Sequence, residues 1–279
     1  MAAPLTDDEF RLFAEWLSRE YGLRFGPEKR EILQARLEPR RAELGLPSFE
    51  RLLFHVRYHP DRERERLALL SRLTNNESYF FREPGTLEVL RTTVLPALAR
   101  DARDRGRSVL HLLSAGCSTG EEAYTLAVVG RESLRGTGMD VRVSGVDLDT
   151  CALERARTGL YRNHAFRGID EAVRDRHFTA EGGSWRLDES IRAAARFQQG
   201  NLVDPAWAGS MPLQDVVFCR NVLIYFDDTG VRRAADNLYR VIRPGGYLFL
   251  GHAESLSRTP TRFVPERRPG AVFYRRPKE

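Results

Sequence analysis

Apolar residues recur every three or four positions up to about residue 72, and then short continuous apolar runs take over. That change of rhythm divides the chain. In "TDDEFRLFAEWLSREYG", Phe10, Phe13, Ala14 and Leu17 fall at helical spacing. Thr6 stands where a cap belongs, acids fill the first turn, and Gly22 stops the helix. "GPEKREILQARLEPRRAELG" predicts a second helix with Leu33, Leu37 and Leu44 as its apolar stripe. "SFERLLFHVRYH", ended by Pro60, predicts a third, and "DRERERLALLSRL" a fourth. From about residue 108 the pattern alternates. "SVLHLLSAG", "VRVSGVDLD", "RFQQGNLVD", "LQDVVFCRNVLIY", "GYLFLGHAE" and "GAVFYRRP" read as strands or contain them. "EEAYTLAVVGRESL", "TCALERARTGL" and "TGVRRAADNLYRVIRPGG" read as helices, the last closed by its glycines. Alternating strands and helices argue for an α/β fold, a parallel sheet with helices on both faces. Ligands of such sheets bind beyond the carboxyl ends of the strands. "FTAEGGSWRLD" reads as a hairpin turning at Gly182 and Gly183.

Composition adds limits. A chain of 279 residues accommodates one large domain and one small one. The pI near 9.3 comes mostly from arginine and suits acidic partners. It does not require nucleic acid, because no aromatic stacking platform or nucleic-acid motif accompanies it. Three cysteines, an odd number without metal spacing, fit a reducing compartment. The start "MAAPLTDDEF" has no basic segment and no apolar signal core, and no apolar run reaches transmembrane length. A cytoplasmic protein without membrane insertion is expected. His55 and His59 are four apart on a helix, but no glutamate lies between them in the metalloprotease pattern and no third ligand is in view. They read as a helix-end pair, and no metal is expected.

The candidate chemistry lies at the strand ends. "LLSAGCSTGEEAYTLA" runs from a strand through a turn of small residues into a helix that opens with two glutamates. A phosphate-binding turn would be GxGxxG or GxxxxGK[ST]; "AGCSTGEE" is neither, and its carboxylates would repel phosphate. They suit an ammonium or a neighbouring sulfonium. Asp147 closes the second strand, where a carboxylate accepts hydrogen bonds from two ribose hydroxyls. Ribose, an amino-acid head and a sulfonium without phosphate describe S-adenosylmethionine. Asn201 and Leu202 follow the third strand, where an amide could address an adenine edge, and Arg220 and Asn221 follow the fourth.

"NESYFFRE", "AGCSTGEEAYTLA", "GVDLDTCALERARTGLY", "FCRNVLIYF" and "GHAESL", in that order along the chain, resemble the CheR family of chemotaxis receptor methyltransferases. The resemblance implies a class I, Rossmann-like methyltransferase fold. It implies a helical receptor-recognition domain over 1–73, a methyltransferase domain over 74–279, and a small β insertion around 176–196. It implies transfer of a methyl group to glutamate side chains of methyl-accepting receptors, with S-adenosylhomocysteine as product. By the family pattern, Asn76, Ser78 and Arg82 belong to a cofactor-contacting loop and Glu122 addresses the methionine end. Asp147 binds the ribose, Asn201 and Leu202 flank the adenine, and Arg220 and Asn221 complete the cofactor contacts. Tyr225 and Arg82 line the methyl-transfer site. Arg30, Arg36 and Arg40 match basic positions that meet the receptor. Members that dock a receptor's C-terminal pentapeptide carry a longer, glycine-rich loop near the hairpin, so a pentapeptide tether is not expected here.

A glutamate carboxylate, with an ordinary pKa of about 4.3, is already a nucleophile at neutral pH, so no general base is needed. Arg82 could hold the incoming carboxylate and the Tyr225 hydroxyl could donate to it. Two other readings stay open: a related methyltransferase with a different acceptor, and a cofactor-sensing module without turnover. Lys29, Arg36 and Arg40 are spaced to share one helix face, which would suit an acidic receptor helix; interspersed glutamates would instead make it a self-paired solvated face.

Overall fold

The computed structural model describes residues 4–278. Its four leading helices are α1 (Asp7–Tyr21), α2 (Arg30–Glu43), α3 (Phe49–Tyr58) and α4 (Arg62–Leu73). Thr6 opens α1 with a capping box: its hydroxyl accepts from the Glu9 N–H and the Glu9 carboxylate accepts from the Thr6 N–H. Gly22 closes α1 at φ 71°, a left-handed position that favours glycine. Leu33 and Leu37 are buried on α2, while Leu44 lies one residue past its end and is half-buried.

Three continuous helical segments follow that the apolar pattern did not reveal: α5 (Pro84–Val89), a π turn over Leu90–Val94, and α6 (Leu95–Asp104). Pro96 lacks an N–H, so regular α bonding cannot continue through it, and the preceding turn widens. Pro84, Gly85 and Pro96 also explain why the segment does not read as one helix.

The sheet then alternates with helices: β1 (Val109–Ala115), α7 (Glu121–Ser133), β2 (Asp140–Asp147) and α8 (Thr150–Thr158). Next come β3 (Leu160–Tyr161), α9 (Glu171–His177), β4 (Phe178–Glu181), β5 (Ser184–Leu187) and α10 (Glu189–Arg192). The chain ends with β6 (Ala195–Gln199), α11 (Pro205–Ser210), β7 (Gln214–Cys219), α12 (Asp228–Val241), β8 (Ile242–Leu250), β9 (Val264–Arg268) and β10 (Ala271–Arg275). The seven-stranded sheet has the order β6-β2-β1-β7-β8-β10-β9. Its first five strands are mutually parallel, β10 runs antiparallel to β8, and β9 runs antiparallel to β10. From β1 the chain fills the sheet outward through β2 to β6, then crosses back to β7 on the other side of β1, and this reversal opens a crevice at the carboxyl ends of β1 and β7.

Side chains alternate between faces. Leu110, Leu112, Val216 and Phe218 pack with α6 and α7, while Leu113, Ala115, Val217 and Cys219 join the core that holds α1–α4 and α12. Helix α12 ends at Val241, so Gly245 and Gly246 lie at the start of β8 and do not close the helix as expected. The hairpin turns at Gly182 and Gly183 with φ 56° and 77°, as a tight turn with two left-handed positions requires. Its small sheet, ordered β3-β5-β4, also takes in Leu160 and Tyr161 from ahead of the expected insertion.

Candidate functional site

A cavity of about 300 Å³ occupies the crevice at the carboxyl ends of β1, β2 and β7. Beyond β1 the turn is held by the Gly116 and Cys117 N–H groups, which donate to the Val146 carbonyl at 2.7 and 3.0 Å. Gly116 has φ 83°, and a Cβ there would sit 2.3 Å from Val222, so only glycine fits. Asp147 accepts from the Ser118 N–H at 2.7 Å through one oxygen and from the Asp149 N–H at 2.9 Å through the other. It therefore faces the cavity with lone pairs to spare. Burial raises its pKa, against those two N–H donors.

Glu122 enters the cavity from the first turn of α7. Its carboxylate accepts from Ser114 Oγ at 2.8 Å and from Arg220 Nη1 at 3.4 Å. Burial raises its pKa and Arg220 opposes the rise only in part. Arg220 is itself buried; its Nη2 meets Glu83 at 3.2 Å and donates to the Arg82 carbonyl at 2.8 Å. One guanidinium thus faces Glu122 and Glu83, leaving a negative balance suited to an ammonium or sulfonium. Glu83 behaves differently from Glu122: burial would raise its pKa, but Arg220 and His252 hold it below the ordinary value. Glu121 points elsewhere, buried against the Thr119 and Ser78 hydroxyls, with its pKa raised by burial.

The loop after β7 carries Arg220, Asn221 and, in a 3₁₀ turn over Leu223–Tyr225, the candidate tyrosine. Asn221 has φ 59°. The conformation is fixed by Glu254, whose carboxylate accepts from the N–H groups of Asn221 at 2.7 Å, Val222 at 2.8 Å, Ile224 at 3.3 Å and Gly251 at 2.8 Å. The Tyr225 hydroxyl accepts from Asn75 Nδ2 at 3.1 Å, and the Tyr225 carbonyl accepts from the Arg24 N–H at 2.8 Å.

The segment between α4 and α5 forms the opposite wall. Asn76 donates to Asp149 at 2.6 Å, and its carbonyl accepts from Ser118 Oγ at 3.1 Å. Phe80 is buried among Tyr161, Phe166 and Phe178. The Arg82 guanidinium lies 5.3 Å from the Tyr79 ring centroid, acts on the Glu77 carboxylate from a distance and makes no direct ion pair among the described residues. Asp149 also accepts from Ser71 Oγ at 2.6 Å and from the Cys151 and Ala152 N–H groups, so it caps α8 while tying α4 to β2. Burial would raise its pKa, and these donors outweigh it and lower the value.

The structure therefore brings Asn76, Ser78, Arg82, Glu122, Asp147, Leu202, Arg220, Asn221 and Tyr225 to one cavity. Asn201 departs from expectation. Its side chain turns to α1, donating to the Glu20 carbonyl at 2.8 Å and accepting from the Val203 N–H at 3.2 Å, so its amide is spent on the fold. The basic helix departs too. Arg36 reaches the cavity mouth with Lys29 and Arg24. Arg30 donates to the Leu5 carbonyl at 3.0 Å and pairs with Asp7, and Arg40 pairs with the buried Glu65 at 2.9 Å and with Glu43. Those two bind within the helical segment. His55 and His59 stack at 4.1 Å, and no metal-binding group occurs among the described residues. Sequence reasoning missed Glu83, Asp149 and Glu254 as positioning residues. Each stands inside or beside a segment already singled out, but only the folded loops show what their carboxylates accept.

The residues present fit S-adenosylmethionine. Asp147 offers acceptors for ribose hydroxyls, Glu122 offers a carboxylate for an ammonium, and Leu148, Leu202 and Val222 give an apolar wall. Residues 76–269 match the family model described as CheR methyltransferase, SAM binding domain, and residues 8–74 match CheR methyltransferase, all-alpha domain. Among curated proteins, the chain is 33% identical over 275 residues to chemotaxis protein methyltransferase 2 of Vibrio cholerae, covering 98% of this chain and 94% of that one. It is 32% identical over 272 residues to chemotaxis protein methyltransferase 1 of Pseudomonas aeruginosa, covering 95% and 97%. It is 33% identical over 258 residues to the chemotaxis protein methyltransferase of Klebsiella aerogenes, covering 91% and 85%.

Proposed function

Because the chain belongs to the CheR methyltransferase family, an S-adenosylmethionine-dependent protein methyltransferase acting on chemotaxis receptors, we propose how its residues divide that work. The observation that carries the reading is the single cavity shared by Asp147, Glu122, Arg82 and Tyr225. Asp147 holds the ribose and Glu122, steadied by Ser114 and Arg220, holds the amino group of the methionine end. Leu148 and Leu202 take the adenine between them. S-adenosylmethionine supplies a methyl carbon on a sulfonium, which a carboxylate oxygen takes in one displacement that leaves a neutral thioether and a glutamate methyl ester.

The protein supplies position and desolvation. The receptor glutamate is ionised at neutral pH, so no side chain removes a proton from it. Arg82, which makes no direct ion pair among the described residues, draws that glutamate in, and the Tyr225 hydroxyl donates to the oxygen that stays behind. Neither grips so tightly as to favour the bound carboxylate over the transition state. The cavity wall excludes water from the line of attack.

Residues 1–73 act as the receptor-recognition domain and 74–279 as the methyltransferase domain, with Arg36 at the mouth as the contact toward acidic receptor helices. Arg30 and Arg40 support that surface from within the helical segment. No helix among the described residues is long and apolar enough to cross a membrane, in keeping with action in the cytoplasm. The small β3-β5-β4 sheet has a tight turn in place of a long loop, so recognition proceeds without a pentapeptide tether. The test is incubation with methyl-labelled cofactor and purified receptors, with and without a C-terminal pentapeptide. Base-labile label released as methanol, in equal amounts with either receptor, is expected. Alkali-stable label would point to another acceptor atom, and label confined to the tethered receptor would restore the tether.

A further inference from the structure

A second cavity of about 300 Å³ lies at the amino ends of β1, β7 and β8. It is at the far edge of the sheet from the methyl-transfer cavity, separated by the seven residues of β1, about 20 Å. Five cations line it from separate stretches of chain: Arg105 after α6, Arg107 ahead of β1, Arg243 in β8, Arg275 at the end of β10, and Lys278 beyond it. Three carboxylates answer them. Asp101 meets Arg105 at 3.1 Å and Lys278 at 2.7 Å, Asp215 meets Arg107 at 2.9 Å and Arg243 at 3.5 Å, and Glu266 meets Arg275 at 3.6 Å. Among the described residues, positive charges therefore outnumber negative ones by two. Asp215 has little left to offer, being 1% exposed and also accepting from the His111 N–H at 2.9 Å. The Nε–H of Arg275 is buried and makes no hydrogen bond, and that of Arg243 is buried with only Asp215 at 3.5 Å, too poorly placed to make one. Gathering like charges and leaving buried guanidinium donors poorly satisfied both cost free energy, and one multidentate anion relieves both.

We propose that this cavity binds a phosphate-bearing small anion, through Arg243, Arg275 and Lys278. A phosphate offers oxygens on several sides, which a single carboxylate does not, and guanidinium groups match that geometry. Tyr247 lines the same cavity, with the Arg275 guanidinium 5.7 Å from its ring centroid, and gives a flat surface on which an attached base can rest.

The full chain is titrated by calorimetry in chloride buffer with inorganic pyrophosphate in one arm and ATP in the other, each with S-adenosylhomocysteine saturating. Pyrophosphate is expected to bind once per chain under these conditions. Arg275→Gln and the more exposed Lys278→Gln should each weaken it about tenfold and leave S-adenosylhomocysteine affinity unchanged. ATP binding more tightly than pyrophosphate, with the gain lost in Tyr247→Ala, assigns the site to a nucleotide; equal binding assigns it to a free polyphosphate. The proposal is overturned by no binding in either arm. It is equally overturned if binding needs the methyl-transfer cavity to be empty, or if it is unchanged in both variants.

Discussion

Asp147 has two protein donors and a cavity in front of it, and in the proposed reading its remaining lone pairs take the ribose hydroxyls. Asp147→Ala is expected to weaken S-adenosylhomocysteine binding by about 1–3 kcal/mol, read by calorimetry. Affinity should also depend on pH. Burial raises both Asp147 and Glu122, so each is protonated over part of the range in which an ordinary carboxylate is ionised. Their contribution to the stability of the ligand-free protein is complete below about pH 4 and is lost as pH rises through the raised values. Ionised, they hold an ammonium and ribose hydroxyls more strongly, so binding should tighten as pH rises above the ordinary carboxylate range and through the raised values. A pH-independent affinity would remove both from the site. Tyr225→Phe should preserve cofactor affinity and slow single-turnover methylation at saturating cofactor; an unchanged rate would leave Tyr225 to packing. Glu254→Gln presents an amide with only one accepting oxygen to four N–H donors. It should lower kcat about tenfold and leave the receptor KM in place, with circular dichroism confirming the fold. At this scale the sequence was readable where a residue's position follows from a strand end or the helix turn after it, as for Asp147 and Glu122, which both line the cavity. It was unreadable where the role is to accept backbone donors 30 or more residues away, as Glu254 does for Asn221 and Val222.

Helix α2 shows the same division between elements. The leucine stripe was plain from spacing, and Leu33 and Leu37 are buried as that spacing requires. The arginines were harder, because helical spacing gives a shared face but says nothing about what a neighbouring helix places opposite it. Arg40 meets Glu65 of α4, which is 1% exposed. Burial would raise the Glu65 pKa, but Arg40 and Arg64 hold it below the ordinary value. Arg36 donates to the Leu73 carbonyl and still lines the cavity mouth. Reversal of charge at the two positions should therefore give different results. Arg36→Glu should raise the receptor KM, most at low salt where screening is weak, and spare cofactor binding. Arg40→Glu should cost about 3 kcal/mol or more in denaturant unfolding, because it leaves Glu65 buried and faced by a like charge. Equal KM effects without loss of stability in Arg40→Glu would return Arg40 to the receptor surface.

Across the whole molecule, alternation of strands and helices was enough to read the parallel sheet, since each βαβ step is local. What joins the helical segment to the sheet was not legible, because it rests on contacts far apart in sequence. Ser18 donates to Asp227, Leu23 bridges to Phe226, and Asp149 gathers Ser71 and Asn76. Asp149→Asn should loosen this junction, and hydrogen exchange across residues 71–78 should quicken with the sheet core unaffected. Uniform exchange in the two proteins would show that the apolar core alone carries the docking. The same junction has a bearing on descent. Arg24, Lys29, Ile32 and Arg36 wall the cavity from one family module, and Asn76, Arg82 and Tyr225 wall it from the other. A lineage that exchanged one module for a cousin's would inherit half of a matched wall. Recombination at the seam near residue 75 is thus penalised, and the two modules are expected to have travelled together, changing in step at the positions that face each other.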